Sequence, residues 1–140
     1  MHKGDVGISL QAIQYAEVPI LGVCLGHQGI AHFNGGEIRH ANQPVHGRMS
    51  TITHNGDPLF AGIPSPWEVV RYHSLFVQRP LPDNLLKLAH TESGTLMALR
   101  HKHKPQWGVQ FHPESILTQH GRRLMCNFRD LSHAHQHNPR

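Results

Sequence analysis

The stretch Pro19-Ile20-Leu21-Gly22-Val23-Cys24-Leu25-Gly26-His27-Gln28-Gly29 decides the fold of this 140-residue chain. It begins as an apolar run, stops at a cysteine between two glycines, and continues with residues that can start a helix. The pattern Gly22-x-Cys24-x-Gly26 is the thiol counterpart of the nucleophile elbow, a sharp strand-to-helix turn that exposes a reactive side chain. We expect both glycines to relieve crowding around the turn. By itself, the pattern leaves Cys24 as either a nucleophile or a buried structural thiol.

The segments beside this turn predict alternating helices and strands. Asp5 to Glu17 predicts an amphipathic helix that ends before Pro19. Ile20 to Val23 has no polar face, which predicts a strand covered on both sides, as is typical of parallel sheets. Leu25 to Phe33 predicts a helix that Gly35-Gly36 terminates. The opening third therefore predicts an α/β domain.

The middle of the chain predicts short strands separated by proline-containing loops. Asn55-Gly56 is a strong turn signal, and Glu92-Ser93-Gly94 is expected to join two strands as a hairpin. The strand that ends at His73 is expected to deliver Ser74 and Leu75 to its end. The predicted strands of this region are Glu37–Arg39, Arg48–His54, Glu68–His73, Leu85–Ala89 and Thr95–Arg100.

The last third predicts a strand, a helix and a tail. Gln106 to Phe111 predicts the final strand, and Thr118 is expected to cap a helix. Residues 132–140 are rich in histidine and predict a disordered tail, with weak metal binding as the alternative. One domain is therefore expected over residues 1–131. The apolar face predicted for the helix consists of Leu124, Met125, Phe128 and Leu131.

Composition argues against several classes of protein. Cys24 and Cys126 are far apart in the chain, so we expect neither a disulfide nor a structural zinc site, and no cofactor. The net charge of +4 comes from scattered Lys and Arg with few aromatic residues, which argues against nucleic-acid binding. No apolar run approaches membrane-spanning length and no leader pattern is seen. A soluble, cytoplasmic protein that binds no membrane is expected.

A second motif supplies a base for Cys24. His112-Pro113-Glu114 directly follows a predicted strand, where active-site residues of open α/β sheets gather. The carboxylate would orient the imidazole and stabilise its charged form. Alone, a His-x-Glu pattern leaves a structural role open. Its pairing with a cysteine at another strand end favours catalysis.

Three blocks of the chain resemble the signature blocks of class I (triad) glutamine amidotransferases. They are Gly22-Val-Cys24-Leu-Gly-His-Gln28, Arg71-Tyr-His-Ser74-Leu75 and Trp107-Gly-Val-Gln-Phe-His112-Pro-Glu114-Ser. The resemblance extends from about Asp5 to Leu131. It is closest to the glutaminases of chorismate-using enzymes, anthranilate synthase component II and aminodeoxychorismate synthase. It implies a flavodoxin-like open α/β sheet with helices on both faces.

The resemblance implies a role for each matching residue. Cys24 would attack the glutamine side-chain amide and form a γ-glutamyl thioester. His112 would act as base and then as acid, with Glu114 orienting it. The backbone N–H of Leu25 would stabilise the oxyanion. The residues implied to hold glutamine are Leu25, Gln28, Ser74 and Leu75, although Ser74 by itself also fits a strand-end cap.

The same resemblance implies a segment upstream of the first helix. Family members carry initial strands and a Pro-Gly-Pro-Gly loop there, which completes the oxyanion hole and contacts glutamine. No such glycine-proline pair precedes Cys24. We therefore expect a fold that lacks its N-terminal strands, in a fragment or mis-started version of an amidotransferase, or in one lobe of a split or fused protein. Such a chain should be poorly soluble and nearly inactive alone.

The function implied is glutamine hydrolysis that delivers ammonia to a chorismate-binding synthase subunit or fused domain. Gly26 to Ala31 and Phe60 to Trp67 favour the product 4-amino-4-deoxychorismate, on the route to p-aminobenzoate and folate. Anthranilate synthase component II of the tryptophan pathway is the alternative. Two others are a truncated, non-catalytic relic that only binds the synthase, and a cysteine hydrolase of other amides.

Overall fold

The computed structural model describes residues 19–115 and 118–137, and the side chains at 41–48, 72–74 and 135–137 lie outside the description. The helix predicted over Asp5–Glu17 lies outside the described residues. The elements in chain order are β1 (Ile20–Val23), α1 (Leu25–Phe33), β2 (Ile38–His54), a 3-10 helix (Pro58–Phe60), β3 (Trp67–Val77), β4 (Leu85–Thr91), β5 (Leu96–His101), β6 (Gln106–Val109) and α2 (Gly121–His137).

The six described strands form one open sheet in the order β1-β6-β5-β4-β2-β3. β1 and β6 pair in parallel, with Val23 opposite Val109. The remaining neighbours among the described strands pair antiparallel. Parallel pairing brings the carboxyl ends of β1 and β6 to the same edge of the sheet, so the residues that follow them, Cys24 and Gln110, become neighbours.

Helices cover both faces of this sheet, as the predicted α/β fold class requires. On one face, α1 contributes Ile30 and Ala31 to an apolar cluster. On the other face, the 3-10 helix and α2 pack in a second cluster that contains Phe60 and Leu124. The first cluster is completed by Val77, Leu85, Leu96 and Leu99, and the second is built mainly on Ile52, Trp67, Val69, Leu88, Met97, Val109 and Phe111.

Strand lengths depart from the sequence-based expectations. β2 is one strand of 17 residues, whereas two short strands were expected over the same region. It stays continuous because it pairs with β3 along most of its length, through register shifts between His40 and Arg48. For the same reason β3 extends to Val77, and Leu75 lies within this strand rather than after it. The side chain of Ser74 lies outside the described residues. β6 ends at Val109, two residues earlier than predicted.

The start and the apolar face of α2 also differ from expectation. The helix begins at Gly121, and Thr118 does not cap it, since its hydroxyl accepts a hydrogen bond from the Val70 N–H at 3.3 Å. Leu124 is fully buried, whereas Met125 is 41% exposed. Adjacent helical positions point about 100° apart, so only one of these two can face the core.

The histidine-rich segment after residue 131 is helical over its described length, since α2 continues to His137. The disordered tail proposed over residues 132–140 stays a prediction. A domain boundary after residue 131 stays a prediction. None of the helices in the described part of the chain is long and apolar enough to cross a bilayer.

Candidate active site

Cys24 occupies a strained turn between β1 and α1. Its φ is 54° and its ψ is −96°, and a positive φ costs a residue that carries a Cβ atom about 1–3 kcal/mol. Its N–H donates to the Val109 carbonyl at 2.8 Å, and its carbonyl accepts from the Gln28 N–H at 3.1 Å. The turn is therefore held from both sides, by β6 and by the first turn of α1. This is the geometry expected of a nucleophile elbow.

Two glycines allow the strands to approach α1 closely. A Cβ atom on Gly22 would lie 2.5 Å from the carbonyl carbon of Gly26, and one on Gly108 would lie 2.9 Å from Cα of His27. A Cβ atom on Gly26, by contrast, would meet no described atom outside its own helix within 4 Å. Crowding therefore requires glycine at Gly22 but not at Gly26, which corrects the expectation that both relieve contacts.

The environment of Cys24 favours the protonated thiol. Burial raises the pKa of the Cys24 thiol above its ordinary value, and the nearby Glu114 carboxylate raises the pKa further. The side-chain amide of Gln110 hydrogen-bonds the sulfur, and both this amide and the backbone N–H of Leu25 lower the pKa and partly oppose the shift. At neutral pH the cysteine is therefore a thiol, and a base must remove its proton before it can act as a nucleophile.

His112 and Glu114 form a close pair, and the charge of this carboxylate acts on the Cys24 thiol. Nδ1 of His112 lies 2.6 Å from Oε1 of Glu114. Because Nδ1 is hydrogen-bonded to the carboxylate, Nε2 is the ring nitrogen that can exchange a proton with a reacting group. The backbone N–H of His112 donates to the Val70 carbonyl at 3.3 Å, which attaches this turn to β3.

The turn that carries the pair is also packed against the start of α2. Gly121 lies directly against the carbonyl of Pro113, and a Cβ atom there would overlap it. The first helical residue must therefore be small. β3 and α2 together define where His112 and Glu114 stand.

The residues predicted to hold glutamine differ in their exposure and hydrogen bonding. Leu25 is 46% exposed at the first position of α1. Gln28 is 6% exposed, and its Nε2 donates to the Leu75 carbonyl at 3.3 Å, which joins these two predicted residues. The side chain of Ser74 lies outside the described residues. Glutamine binding by these four residues stays a prediction.

Gln110 was not predicted from the sequence, yet its side chain lies at the centre of the site. Its Nε2 is 3.5 Å from Sγ of Cys24, and its Oε1 accepts from Nε2 of Gln28 at 3.2 Å. The signal available was a glutamine inside an apolar segment, immediately before the His112 motif. Burial of an amide in such a segment demands hydrogen-bond partners, and the sequence does not say which.

No group of three or more His, Cys, Asp or Glu side chains in the described part of the chain is placed to hold a metal ion. The Gln110 amide lies at the sulfur of Cys24, the charge of the Glu114 carboxylate acts on the thiol, and His112 is paired with that carboxylate. A thiol, an imidazole and a carboxylate are the side chains that acyl transfer needs as nucleophile, base and orienting acid.

The chain is similar to proteins of one family over most of its length. Residues 1–131 match the family model described as glutamine amidotransferase class-I. An aminodeoxychorismate synthase of Streptomyces pristinaespiralis is 56% identical over 128 residues, which cover 91% of this chain. An anthranilate synthase component 2 of Methanothermobacter marburgensis is 47% identical over 128 residues, covering 90% of this chain and 65% of its own.

A solved structure has a similar fold. A Thermoplasma acidophilum protein assigned as part of a GMP synthase superimposes with a TM-score of 0.87 at 29% identity, covering 96% of this chain and 67% of its own. The matched part of the Streptomyces relative is only 18% of that protein. This chain thus spans less than a fifth of that longer relative.

Proposed function

The chain belongs to the class-I glutamine amidotransferase family, and from this premise we propose that it hydrolyses glutamine through a thioester on Cys24. The observation that carries the proposal is the cysteine held at a positive φ at the end of β1, at the same edge of the sheet as the paired His112 and Glu114 that follow β6. This arrangement combines a nucleophile, a base and a carboxylate that orients the base.

The first half of the proposed reaction forms the thioester. His112 takes the proton of the Cys24 thiol, and the thiolate attacks the side-chain carbonyl carbon of glutamine. The imidazolium that results is stabilised by Glu114. Collapse of the tetrahedral intermediate breaks the C–N bond, and His112 returns its proton to the departing nitrogen, which leaves as ammonia. The raised pKa of the Cys24 thiol supports this order of events, because the nucleophile starts as a protonated thiol.

The second half regenerates the thiol. Water, deprotonated by His112, attacks the thioester carbon, and the C–S bond breaks to release glutamate. Cys24 recovers a proton from His112. In both halves the negative oxygen needs a donor, and the Leu25 N–H at the start of α1 is suited to this role. This N–H lowers the pKa of the Cys24 thiol, which supports its assignment as a donor to the reacting group.

The proposed partner is a chorismate-using synthase, as a subunit or a fused domain, which would receive the ammonia. The Streptomyces relative named aminodeoxychorismate synthase, at 56% identity, supports the folate-directed product. The archaeal relative named anthranilate synthase component 2, at 47% identity, keeps the tryptophan-directed product as the second candidate. A cytoplasmic location is proposed on the same basis. Incubation with either synthase, chorismate and glutamine would separate the two by the aminated product formed.

The thioester proposal is tested with diazo-oxo-norleucine, an electrophilic analogue of glutamine. After incubation with the chain, peptide mass spectrometry should find the adduct on Cys24, and excess glutamine should suppress it. Cys126 supplies an internal control, and the Cys126→Ser variant should be labelled as the parent is. Labelling equally shared by both cysteines, or absent from a Cys24 that iodoacetamide still alkylates, would refute a glutamine pocket.

A further inference from the structure

We propose that Gln110 is a positioning residue that, through Gln28, ties the thiol of Cys24 to the backbone of β3 at Leu75. The three links join residues far apart in sequence: Cys24 to Gln110, Gln110 to Gln28, and Gln28 to Leu75. The inference rests on the proposed function for its meaning in catalysis. The hydrogen bonds themselves are independent of it.

The backbone carbonyl of Leu75 sets the direction of every hydrogen bond in this relay. A carbonyl oxygen only accepts, so the side-chain nitrogen of Gln28 must face it, at 3.3 Å. The same nitrogen donates its other proton to Oε1 of Gln110 at 3.2 Å. The oxygen of Gln110 is thereby turned toward Gln28, and its nitrogen toward Sγ of Cys24 at 3.5 Å. The relay thus delivers an N–H donor to the sulfur.

Burial makes this arrangement costly to alter. Gln110 is fully buried and Gln28 is 6% exposed, so water cannot readily replace a lost partner. If the Gln110 amide were reversed, its nitrogen would face the nitrogen of Gln28, and two buried donors would oppose each other. The amide therefore has one satisfied orientation. The backbone of Gln110 is held as well, since its N–H donates to the Met97 carbonyl of β5 at 2.9 Å.

The chemical consequence concerns the charge on the sulfur. A donor aimed at sulfur stabilises the thiolate and opposes the burial that disfavours it. Among the described side chains at this edge, the Glu114 carboxylate disfavours the thiolate, and His112 is paired with Glu114. Gln110 lowers the cost of forming the thiolate without itself exchanging a proton. Its link to Leu75 couples that effect to the strand predicted to hold glutamine.

The test is the pH dependence of Cys24 alkylation by iodoacetamide, measured by peptide mass spectrometry in the 140-residue chain. Gln110→Leu removes the donor at similar volume, and the alkylation midpoint of Cys24 should rise by about one pH unit, a roughly tenfold loss of thiolate below the midpoint. Gln28→Leu, which only releases the anchor, should raise the midpoint by less. Midpoints are compared, because a more basic thiolate is intrinsically more reactive and partly masks the change in rate.

The matched control is Gln106→Leu. Gln106 is also a buried amide, but it lies at the start of β6, at the end of the strand away from Cys24. This variant should leave the Cys24 midpoint unchanged. A midpoint in Gln110→Leu equal to that of the parent chain, with the thermal melt showing a folded protein, would overturn the proposal. If Gln110→Leu does not fold, an unshifted midpoint in Gln28→Leu overturns it instead.

Failure of the relay and failure of the proposed function give different results. If the relay is wrong but the function is right, diazo-oxo-norleucine labels Cys24 in the parent chain, while the alkylation midpoint of Gln110→Leu equals that of the parent chain. If the function is wrong but the relay is right, the glutamine analogue does not label Cys24, while Gln110→Leu still shifts the midpoint.

Discussion

Nδ1 of His112 lies 2.6 Å from Oε1 of Glu114, and the charge of that same carboxylate acts on the Cys24 thiol. One acid thus has two opposed effects. It orients the base that is proposed to take the proton of the thiol, and it makes the thiolate harder to form. Substitution of Glu114 should separate these effects.

Glu114→Gln should lower glutaminase activity by about 10²- to 10⁴-fold, because an amide no longer fixes the imidazole tautomer or stabilises the imidazolium. The same variant should lower the alkylation midpoint of Cys24, because a charge that raises the pKa of this thiol has been removed. Parallel activity and iodoacetamide assays check both. Glu92→Gln, an exposed site in the β4–β5 turn, serves as control. A rise in the midpoint of Glu114→Gln would contradict this account.

Alanine at the two glycines of the elbow should have unequal effects. Gly22→Ala places a Cβ atom 2.5 Å from the backbone of Gly26, and should destabilise the fold by about 1–3 kcal/mol or more. Gly26→Ala meets open space and replaces a helical glycine, so its stability should be equal or up to about 1 kcal/mol higher. Urea denaturation measures the difference. Equal free energies of unfolding for the two variants would contradict the close approach of β1 to α1 at Gly22.

His101 should make stability depend on pH. Its Nδ1 accepts the backbone N–H groups of His103 and Lys104 at 3.0 and 2.9 Å, so the ring is held neutral at that atom. Burial, followed by the charges of Lys104 and His103, lowers the pKa of His101 in the folded state. The unfolded chain therefore takes up the proton first, and stability should fall as the pH drops below about 6.5.

Thermal melts between about pH 7.5 and pH 5.5 test this expectation. When Nδ1 of His101 is protonated, it can no longer accept hydrogen bonds from the two N–H groups of the β5–β6 loop. The parent chain should lose about 1 kcal/mol, or a few degrees in Tm, from this source. His101→Asn, which can accept hydrogen bonds but does not titrate, should lose less over the same range. An identical slope in both proteins would assign the pH dependence to other groups.

Asp57 should matter far more than an exposed acid in an ion pair. Its Oδ1 accepts from Arg100 at 2.9 Å, and its Oδ2 caps the 3-10 helix by accepting from the Leu59 N–H at 3.1 Å. Asp57→Ala should cost about 1–3 kcal/mol, because the buried Leu59 N–H and the partly buried Arg100 both lose their acceptor. Glu37→Gln breaks an exposed pair with Arg39 and should change stability by no more than about 0.5 kcal/mol. Comparable losses in the two variants, measured by denaturation, would contradict the difference in burial.

Most local structure could be predicted from local pattern. Apolar periodicity located β1 and α1 within the bounds the structure has, and the turn at residues 92–94 marked the β4–β5 hairpin. The predicted strand bounds were wrong where pairing between distant strands determines how far a strand extends. β2 continues through a segment without a clear strand pattern because β3 lies beside it, and β3 runs past Ser74 for the same reason.

The candidate site divides in the same way. The elbow motif and the His112-Pro113-Glu114 motif each consist of adjacent residues, so a short window of sequence suffices to predict a cysteine nucleophile, its base and the acid. The register of β1 on β6, which brings Cys24 to the same sheet edge as the residues after β6, joins residues 86 positions apart at Val23 and Val109. No local preference encodes that register.

By itself, then, the sequence determined the family and the positions of most strands, and it predicted the three residues of the proposed triad, because these depend on side chains a few positions apart. Only the tertiary structure decided that Gln110 faces the sulfur, that Gly26 is not crowded and that the thiol of Cys24 has a raised pKa. Each of these follows from burial and from the direction of hydrogen bonds between distant strands. Burial and hydrogen-bond direction are defined only in the folded chain, where residues distant in sequence are in contact.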